Sequence, residues 1–215
     1  MEKKYDYKNH WNNAYNNNSI NELGWYEDDP KASFDLIEKC KISKDSMIFN
    51  AGAGSSLLIG LLLKKGYNNL HVNDISSSAI NSLKSLIGDE SGISYIIDDL
   101  TNPKELCNLD MVDLWHDRAV LHFFVQKNQQ EAYFDLLKSK IRSGGYVIFS
   151  EFAKDGAKKC CGLDILNYSE EMLQYRLGED FKLLDSFNYL YNHPSNGNTG
   201  KYIYTLFRKK KYDFN

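Results

Sequence analysis

The chain has 215 residues, with 26 basic and 29 acidic side chains and a formal net charge of -3. With 42% hydrophobic and 26% charged residues, it has the makeup of a globular protein with a sizeable core, and a disordered chain is excluded. A charge this close to zero argues against nucleic acid as the main partner, because phosphate contacts call for a basic surplus.

No apolar run reaches the roughly 18 residues that a membrane span needs; the longest covers 57–63, so no membrane partner is expected. The first residues, MEKKYDYKNHWNN, carry no apolar stretch behind a basic start. No secretory signal is therefore expected, and the cytoplasm is the expected compartment. The basic cluster at 208–211 reads as a solvated tail. Cysteines stand at 40, 107, 160 and 161, without a CxxC or a zinc-finger spacing, so reduced thiols and no metal are expected. Cys160 and Cys161 are adjacent, a poor geometry for an ordinary disulfide. A soft-metal or metalloid site on the pair stays open.

In chain order, about 45 residues rich in Asn and aromatics come first, among them Tyr5, Tyr7, Trp11, Tyr15, Trp25 and Tyr26. Asp29-Pro30 opens a helix with Phe34, Leu36, Ile37 and Cys40 at its apolar positions. The segment 46–50 predicts a buried strand, and 56–65 a helix ended by Gly66. The next strand is expected at 70–74, followed by a helix capped within 76–78 and closed by Gly88. Strands at 93–97 and 111–115 follow, then a helix over 129–141 with Tyr133, Leu136, Leu137 and Ile141 on one face. Gly144-Gly145 turns the chain into a fifth strand at 146–150. The runs 181–191 and 201–208, separated by a Pro/Asn/Gly-rich loop, predict a hairpin. The expected architecture is α/β: a doubly wound, Rossmann-like sheet of seven strands. Strands one to five are parallel, the seventh is antiparallel, and helices cover both faces. A single domain over 1–215 is expected, with a cap or lid at 1–45 and a cofactor-binding core at 46–208.

The chemistry-bearing stretch is 47–58, where Gly52 and Gly54 fall at a strand-to-helix junction. Glycines there let a ligand approach the backbone, and the helix start offers free N–H groups. Asp74 follows Gly54 by 20 residues and ends the second strand, where doubly wound folds place a carboxylate on ribose hydroxyls. The third glycine of GxGxxG would fall at Leu57, so no pyrophosphate cradle is implied.

These features resemble those of class I S-adenosylmethionine-dependent methyltransferases. Asn50-Ala-Gly-Ala-Gly-Ser-Ser56 is similar to their first motif, 72–76 to the ribose-binding strand end, 95–100 to the adenine segment and 113–122 to the fourth-strand motif. The resemblance extends to a small bacterial subgroup through Trp25-Tyr-Glu27, the Trp-His-Asp-Arg-Ala-Val run at 115–120, and the Asp-Gly-x-x-Lys-Cys-x-Gly-Leu loop at 155–163. In two places the chain departs from the first motif: Asn50 replaces its acidic residue, and Ser56 occupies the third glycine position.

The resemblance implies S-adenosyl-L-methionine as cofactor and S-adenosyl-L-homocysteine as product. It implies cofactor contacts from Asn50, Ala51, Gly52, Gly54, Asp74, Ile75, Asp98, Asp99, Leu100, Trp115 and His116. Asp99 is favoured over Asp98 for the adenine edge, with the Leu100 amide beside it. Transfer of a methyl group from a sulfonium is an in-line displacement that needs alignment and exclusion of water. A base is needed only for an acceptor that arrives protonated, and its candidates are His116, Asp117 and His122. Asp117 and Arg118 read equally well as a structural ion pair. Trp11, Trp25 and Tyr26 are expected as a lid, and Glu151, Phe152 and the 155–163 loop as acceptor contacts at the carboxyl edge of the sheet. The expected acceptor is a small molecule, with a protein lysine or a non-catalytic cofactor-binding module as alternatives. DNA base methylation is disfavoured, because 113–118 reads Asp-Leu-Trp-His-Asp-Arg where that chemistry uses an Asn/Asp-Pro-Pro-Tyr type motif.

Overall fold

The computed structural model describes residues 5–88 and 90–211. Helix α1 spans Tyr7–Asn17, with the Asp6 carboxylate accepting the Asn9 amide at its start. Helix α2, Lys31–Lys39, is entered through Pro30. The alternating part then runs β1 (Ile48–Ala51), α3 (Leu57–Lys64), β2 (Leu70–Asp74), α4 (Ser77–Ile87), β3 (Ile93–Ile97), β4 (Val112–Arg118), α5 (Lys127–Lys140) and β5 (Ile141–Phe152). A two-residue pair, β6 (Lys159–Cys160) and β7 (Leu163–Asp164), precedes helix α6 (Glu170–Leu177). The long hairpin of β8 (Phe181–Asn192) and β9 (Thr199–Lys209) follows.

Seven strands form one sheet in the order β3-β2-β1-β4-β5-β9-β8. The pairs among β1 to β5 are parallel, whereas β9 runs antiparallel to both β5 and β8. This is the seven-stranded Rossmann-like sheet of the methyltransferase fold, as the sequence predicts. The sheet order reverses between β1 and β4, so the loops after these strands open a crevice at their carboxyl ends.

Side-chain alternation explains the layers. Ile48, Leu114 and Ile148 join a core with Leu36, Leu58, Leu62 and Ile80, from α2, α3 and α4. Their neighbours Phe49, Trp115, Val147 and Phe149 face the opposite side, against Tyr133, Leu137 and Leu173 of α5 and α6. Successive residues of a strand point to opposite faces, so helices must cover both. Leu62 is fully buried, and its truncation to alanine would cost about 2–5 kcal/mol.

Several elements extend beyond the predicted ones. The fourth strand runs on through His116, Asp117 and Arg118, polar residues whose side chains find buried partners and so tolerate a central strand. The fifth begins at Ile141, directly from α5, and bulges against β4 between Val112 and Leu114. Helix α6 and the β6–β7 pair are not foreseen from the sequence. Arg208, assigned above to a solvated tail, belongs to β9, and its guanidinium lies over the Tyr146 ring.

Candidate active site

At the crevice, β1 ends in a turn where Gly52 and Gly54 both adopt left-handed φ, at 51° and 56°. A Cβ on Gly52 would come 2.3 Å from Val120, and one on Gly54 would come 2.1 Å from the Tyr15 hydroxyl. Only glycine satisfies both the backbone and the space. The Gly54 amide donates to Asp74 Oδ2 at 2.9 Å, and the Ser76 amide to Oδ1 at 2.8 Å. The carboxylate is thereby held between the glycine turn and the start of α4. Burial pushes its pKa up to about 6, against the opposing pull of these amides.

Behind Asp74, helix α1 closes the crevice. Asn12 accepts the Ser76 hydroxyl at 2.8 Å and the Ser78 amide at 3.3 Å, which pins α1 to the N-terminus of α4. Trp25 Nε1 donates to the Tyr15 hydroxyl at 3.0 Å. Trp11 meets both Trp25 and Phe123 edge to face, with ring centroids 5.4 and 4.9 Å apart. Beneath these rings lies a cleft of about 100 Å³, walled by Tyr7, Trp11, Tyr15 and Trp25 on one side. Gly52, Asp74, Ile75, Asp98, Asp99 and Leu100 line the other, with Arg118, Val120, Phe123, Gln129 and Cys160 at its ends.

A second pocket backs the glycine turn and is lined by Asn50, Ala51, Ser55, His116, Arg118, Trp25 and Tyr26. Asn50 is buried, and neither its amide oxygen nor its amide nitrogen meets a partner among the described residues. A buried amide left so is costly unless something polar occupies the neighbouring space.

The two acidic residues after β3 separate by role. Asp98 accepts the amides of Asp99, Lys104 and Leu106, so it staples the following loop. The Asp99 carboxylate accepts the Thr101 amide and hydroxyl, and the residue stays half-buried in the cleft wall.

Arg118 does not pair with Asp117. Its Nε lies 3.3 Å from Glu27 Oε2, and one of its terminal nitrogens donates to the Trp25 carbonyl at 3.1 Å. Asp117 instead takes the Tyr133 hydroxyl and the Val120 amide, fully buried. The alternation of β4 sends consecutive side chains to opposite faces, which is why neighbours in sequence cannot pair there.

Of the side chains expected to supply a base, none lines the main cleft. His116 bonds the Ser33 hydroxyl at 3.0 Å, and burial together with Arg118 lowers its pKa to about 3, so it is a neutral imidazole. Burial and the nearby Glu151 carboxylate raise Asp117 well above the usual carboxylate range. His122 gives Nδ1 to Glu151 Oε2 at 2.7 Å and reaches the cleft only through Cys160. Trp115 packs in the core against Phe49 and Tyr133. Among the expected acceptor contacts, Glu151 and Phe152 lie beneath the surface, with Phe152 stacked on Tyr202. The cleft residues that sequence reasoning missed are Val120, Phe123, Phe124 and Gln129. They come from the loop after β4 and the start of α5, where no periodic pattern marks them.

The fold defines the class: this is the Rossmann-like fold that class I methyltransferases share. No protein-family model matches the chain. Over 134 residues it is 25% identical to a malonyl-(acyl-carrier protein) O-methyltransferase of Ilyobacter polytropus. The match spans 62% of this chain and 45% of that protein. A solved structure of a SAM-dependent methyltransferase from Anabaena variabilis superposes with a TM-score of 0.77 at 13% identity, covering 98% of both chains. The 1,6-didemethyltoxoflavin-N1-methyltransferase of Burkholderia thailandensis, solved with its substrate and S-adenosylhomocysteine bound, gives a TM-score of 0.66 at 16% identity. That match covers 95% of this chain and 84% of the other. Among the described residues no helix is long and apolar enough to cross a membrane, and no cluster of three or more His, Cys, Asp or Glu is arranged to hold a metal ion.

Proposed function

We propose that the chain is an S-adenosylmethionine-dependent methyltransferase acting on a small-molecule acceptor in the cytoplasm. One observation carries the reading: Asp74, at the end of β2, is tied to the Gly54 amide in the wall of an aromatic-capped cleft. That arrangement suits a nucleoside without phosphates. The carboxylate accepts ribose hydroxyls, and the glycine turn admits the methionine chain at the backbone. The orphaned Asn50 amide fits the same ligand, since a zwitterionic amino acid end satisfies both a donor and an acceptor.

The cofactor, when bound, supplies an electrophilic methyl group on a sulfonium. Asp99 and the Leu100 amide hold the adenine edge, and Asp74 holds the ribose. Trp11, Tyr15, Trp25 and Phe123 exclude water from the cleft and align the acceptor for an in-line displacement. A cleft lined by rings and closed by a helix suits a compact acceptor better than a protein surface. Of the proteins named above, the one solved with 1,6-didemethyltoxoflavin bound supports this substrate class, while the malonyl-(acyl-carrier protein) O-methyltransferase supports a small acyl group presented on a carrier.

Calorimetry with S-adenosylmethionine, S-adenosylhomocysteine and NAD, on the wild type and on Asp74→Ala, tests the cofactor. Binding of both sulfur nucleotides and not NAD is expected, with the variant at least ten-fold weaker. Binding of NAD alone would overturn the reading. Methyl-labelled cofactor incubated with a cell extract, then split by size, tests the acceptor: label in the small-molecule fraction is expected, and label confined to protein would overturn that part.

A further inference from the structure

Cys160 and Cys161 lie outside the proposed methyl-transfer chemistry, yet the fold assembles a reactive arrangement around them. The β6–β7 pair turns through Cys161 and Gly162, both at left-handed φ, 53° and 79°. A two-residue turn of this kind matches the twist of the flanking strands, and a cysteine is an uncommon residue to find in it. The turn brings Cys160 Sγ and Cys161 Sγ to 3.4 Å, a hydrogen-bonding approach between adjacent thiols.

The loop carrying the pair is held over the 121–123 turn. The Leu166 amide donates to the His122 carbonyl at 2.8 Å, and Asn167 latches the carbonyls of Ala153 and Ala157. His122 is fully buried, gives one ring nitrogen to Glu151, and turns the other towards Cys160. Glu151 is buried with it, and its second oxygen faces the Asp117 carboxyl.

A sulfur ordered this way has the Cys161 S–H as its donor, with the His122 imidazole nearby and a carboxylate behind the ring. This is the arrangement that turns a thiol into a nucleophile. The Cys161 bond is the main reason the Cys160 thiol falls below its usual pKa, with His122 adding to it against the cost of burial. Cys161 is pushed the opposite way, as a proton donor to a thiolate must be. Cys160 also lines the cleft and is partly exposed there.

We propose that Cys160 and Cys161 form a peroxide-reactive dithiol site in the cleft wall, with His122 and Glu151 positioning the attacking sulfur. The Cys160 thiolate attacks one oxygen of a hydroperoxide, the O–O bond breaks, and the product alkoxide or hydroxide takes a proton from solvent. Cys160 is then a sulfenic acid. Cys161 sulfur attacks it, the S–O bond breaks, and water leaves with the Cys161 proton, closing a disulfide. Adjacent cysteines hold their Cα atoms about 3.8 Å apart, below the usual range for a bridge, so this disulfide is strained and readily returned to the dithiol by cellular thiols.

Competition with iodoacetamide near pH 6 tests the nucleophile, since an ordinary thiol with a pKa of about 8.5 is almost fully protonated there. Peptide mass spectrometry of the intact chain should show Cys160 alkylated roughly ten-fold or more faster than the exposed Cys107. Cys161→Ala removes the main donor and should bring the Cys160 rate close to that of Cys107, whereas Glu151→Gln leaves that donor in place and should change the rate by less, with circular dichroism confirming the fold of both. Cys161→Ser keeps a donor beside Cys160 and should keep its rate above that of Cys107. With limiting hydrogen peroxide, the wild-type 160–161 peptide should lose two hydrogens and regain them with a reducing thiol. The same peptide of Cys161→Ser should instead form a dimedone adduct at Cys160. Alkylation of Cys160 no faster than Cys107, or peroxide oxidising Cys107 first, would overturn the proposal. These readouts use no cofactor, so they stand or fall apart from the methyltransferase reading.

Discussion

Arg118 and Glu27 are 91 residues apart in sequence, yet they meet at 3.3 Å between the end of β4 and the chain that precedes the sheet. Both side chains are largely buried, at 13% and 10% exposure. The pair joins two of the motifs noted in the sequence, Trp25-Tyr-Glu27 and the run at 115–120, and holds the capping segment over the crevice. Removing one partner leaves the other charge buried and alone. Glu27→Ala should therefore destabilise the protein by about 3 kcal/mol in urea unfolding. Glu27→Gln, which still accepts from Arg118, should lose less. Equal stability of Glu27→Ala and wild type would show that the pair does not anchor the cap.

Gly54 and Tyr15 make a second long-range requirement. Gly54→Ala places a methyl group against the Tyr15 hydroxyl and in a left-handed backbone. The backbone part alone costs roughly 1–2 kcal/mol. Adding Tyr15→Phe removes the clashing oxygen, so the double variant should recover part of the loss in thermal melting but not the backbone share. Full recovery would mean that φ at residue 54 carries no strain.

Burial holds the Asp74 carboxyl at about 6, above an unfolded aspartate near 3.9. A folded pKa above the unfolded one means that the folded state takes up the proton first. Between about pH 7 and pH 4 this group therefore adds stability to the ligand-free protein as pH falls. Ribose recognition runs the other way, because only the ionised carboxylate is a full acceptor. Affinity for S-adenosylhomocysteine should drop as pH falls through about 6, and Asp74→Ala should flatten that dependence. A wild-type profile flat from pH 7.5 to about 5 would contradict the assigned role.

The chain has three tryptophans, and two of them, Trp11 and Trp25, line the cleft, while Trp115 is sealed in the core. Ligand binding should change the intrinsic fluorescence, and the change should vanish in a Trp11→Phe/Trp25→Phe variant that retains Trp115. A change preserved in that variant would place the ligand elsewhere.

Some of this molecule was legible without its structure, and for local reasons. The strands of the sheet announce themselves as short apolar runs, and the amphipathic helices as apolar residues at helical spacing. Gly52, Gly54 and Asp74 stand out because a turn at a strand end and an acid 20 residues later are features of adjacent elements. Helix α1 is a different case: its face is mostly Asn and aromatic, so no apolar stripe marks it, and it forms by docking Asn12 onto Ser76.

The sequence by itself determined the alternation of strands and helices over 46–150, the terminal hairpin and the position of the glycine turn, since periodicity and turn chemistry act over a few residues. Only the tertiary structure decided that Arg118 pairs with Glu27 and not Asp117. It also decided that Asp98 staples a loop while Asp99 faces the cleft, and that Cys160 lines the cleft near the buried His122. Those outcomes depend on which buried polar group finds a partner across the fold. Hydrogen bonds and charges removed from water must be satisfied wherever the packing brings a partner, whatever the distance along the chain.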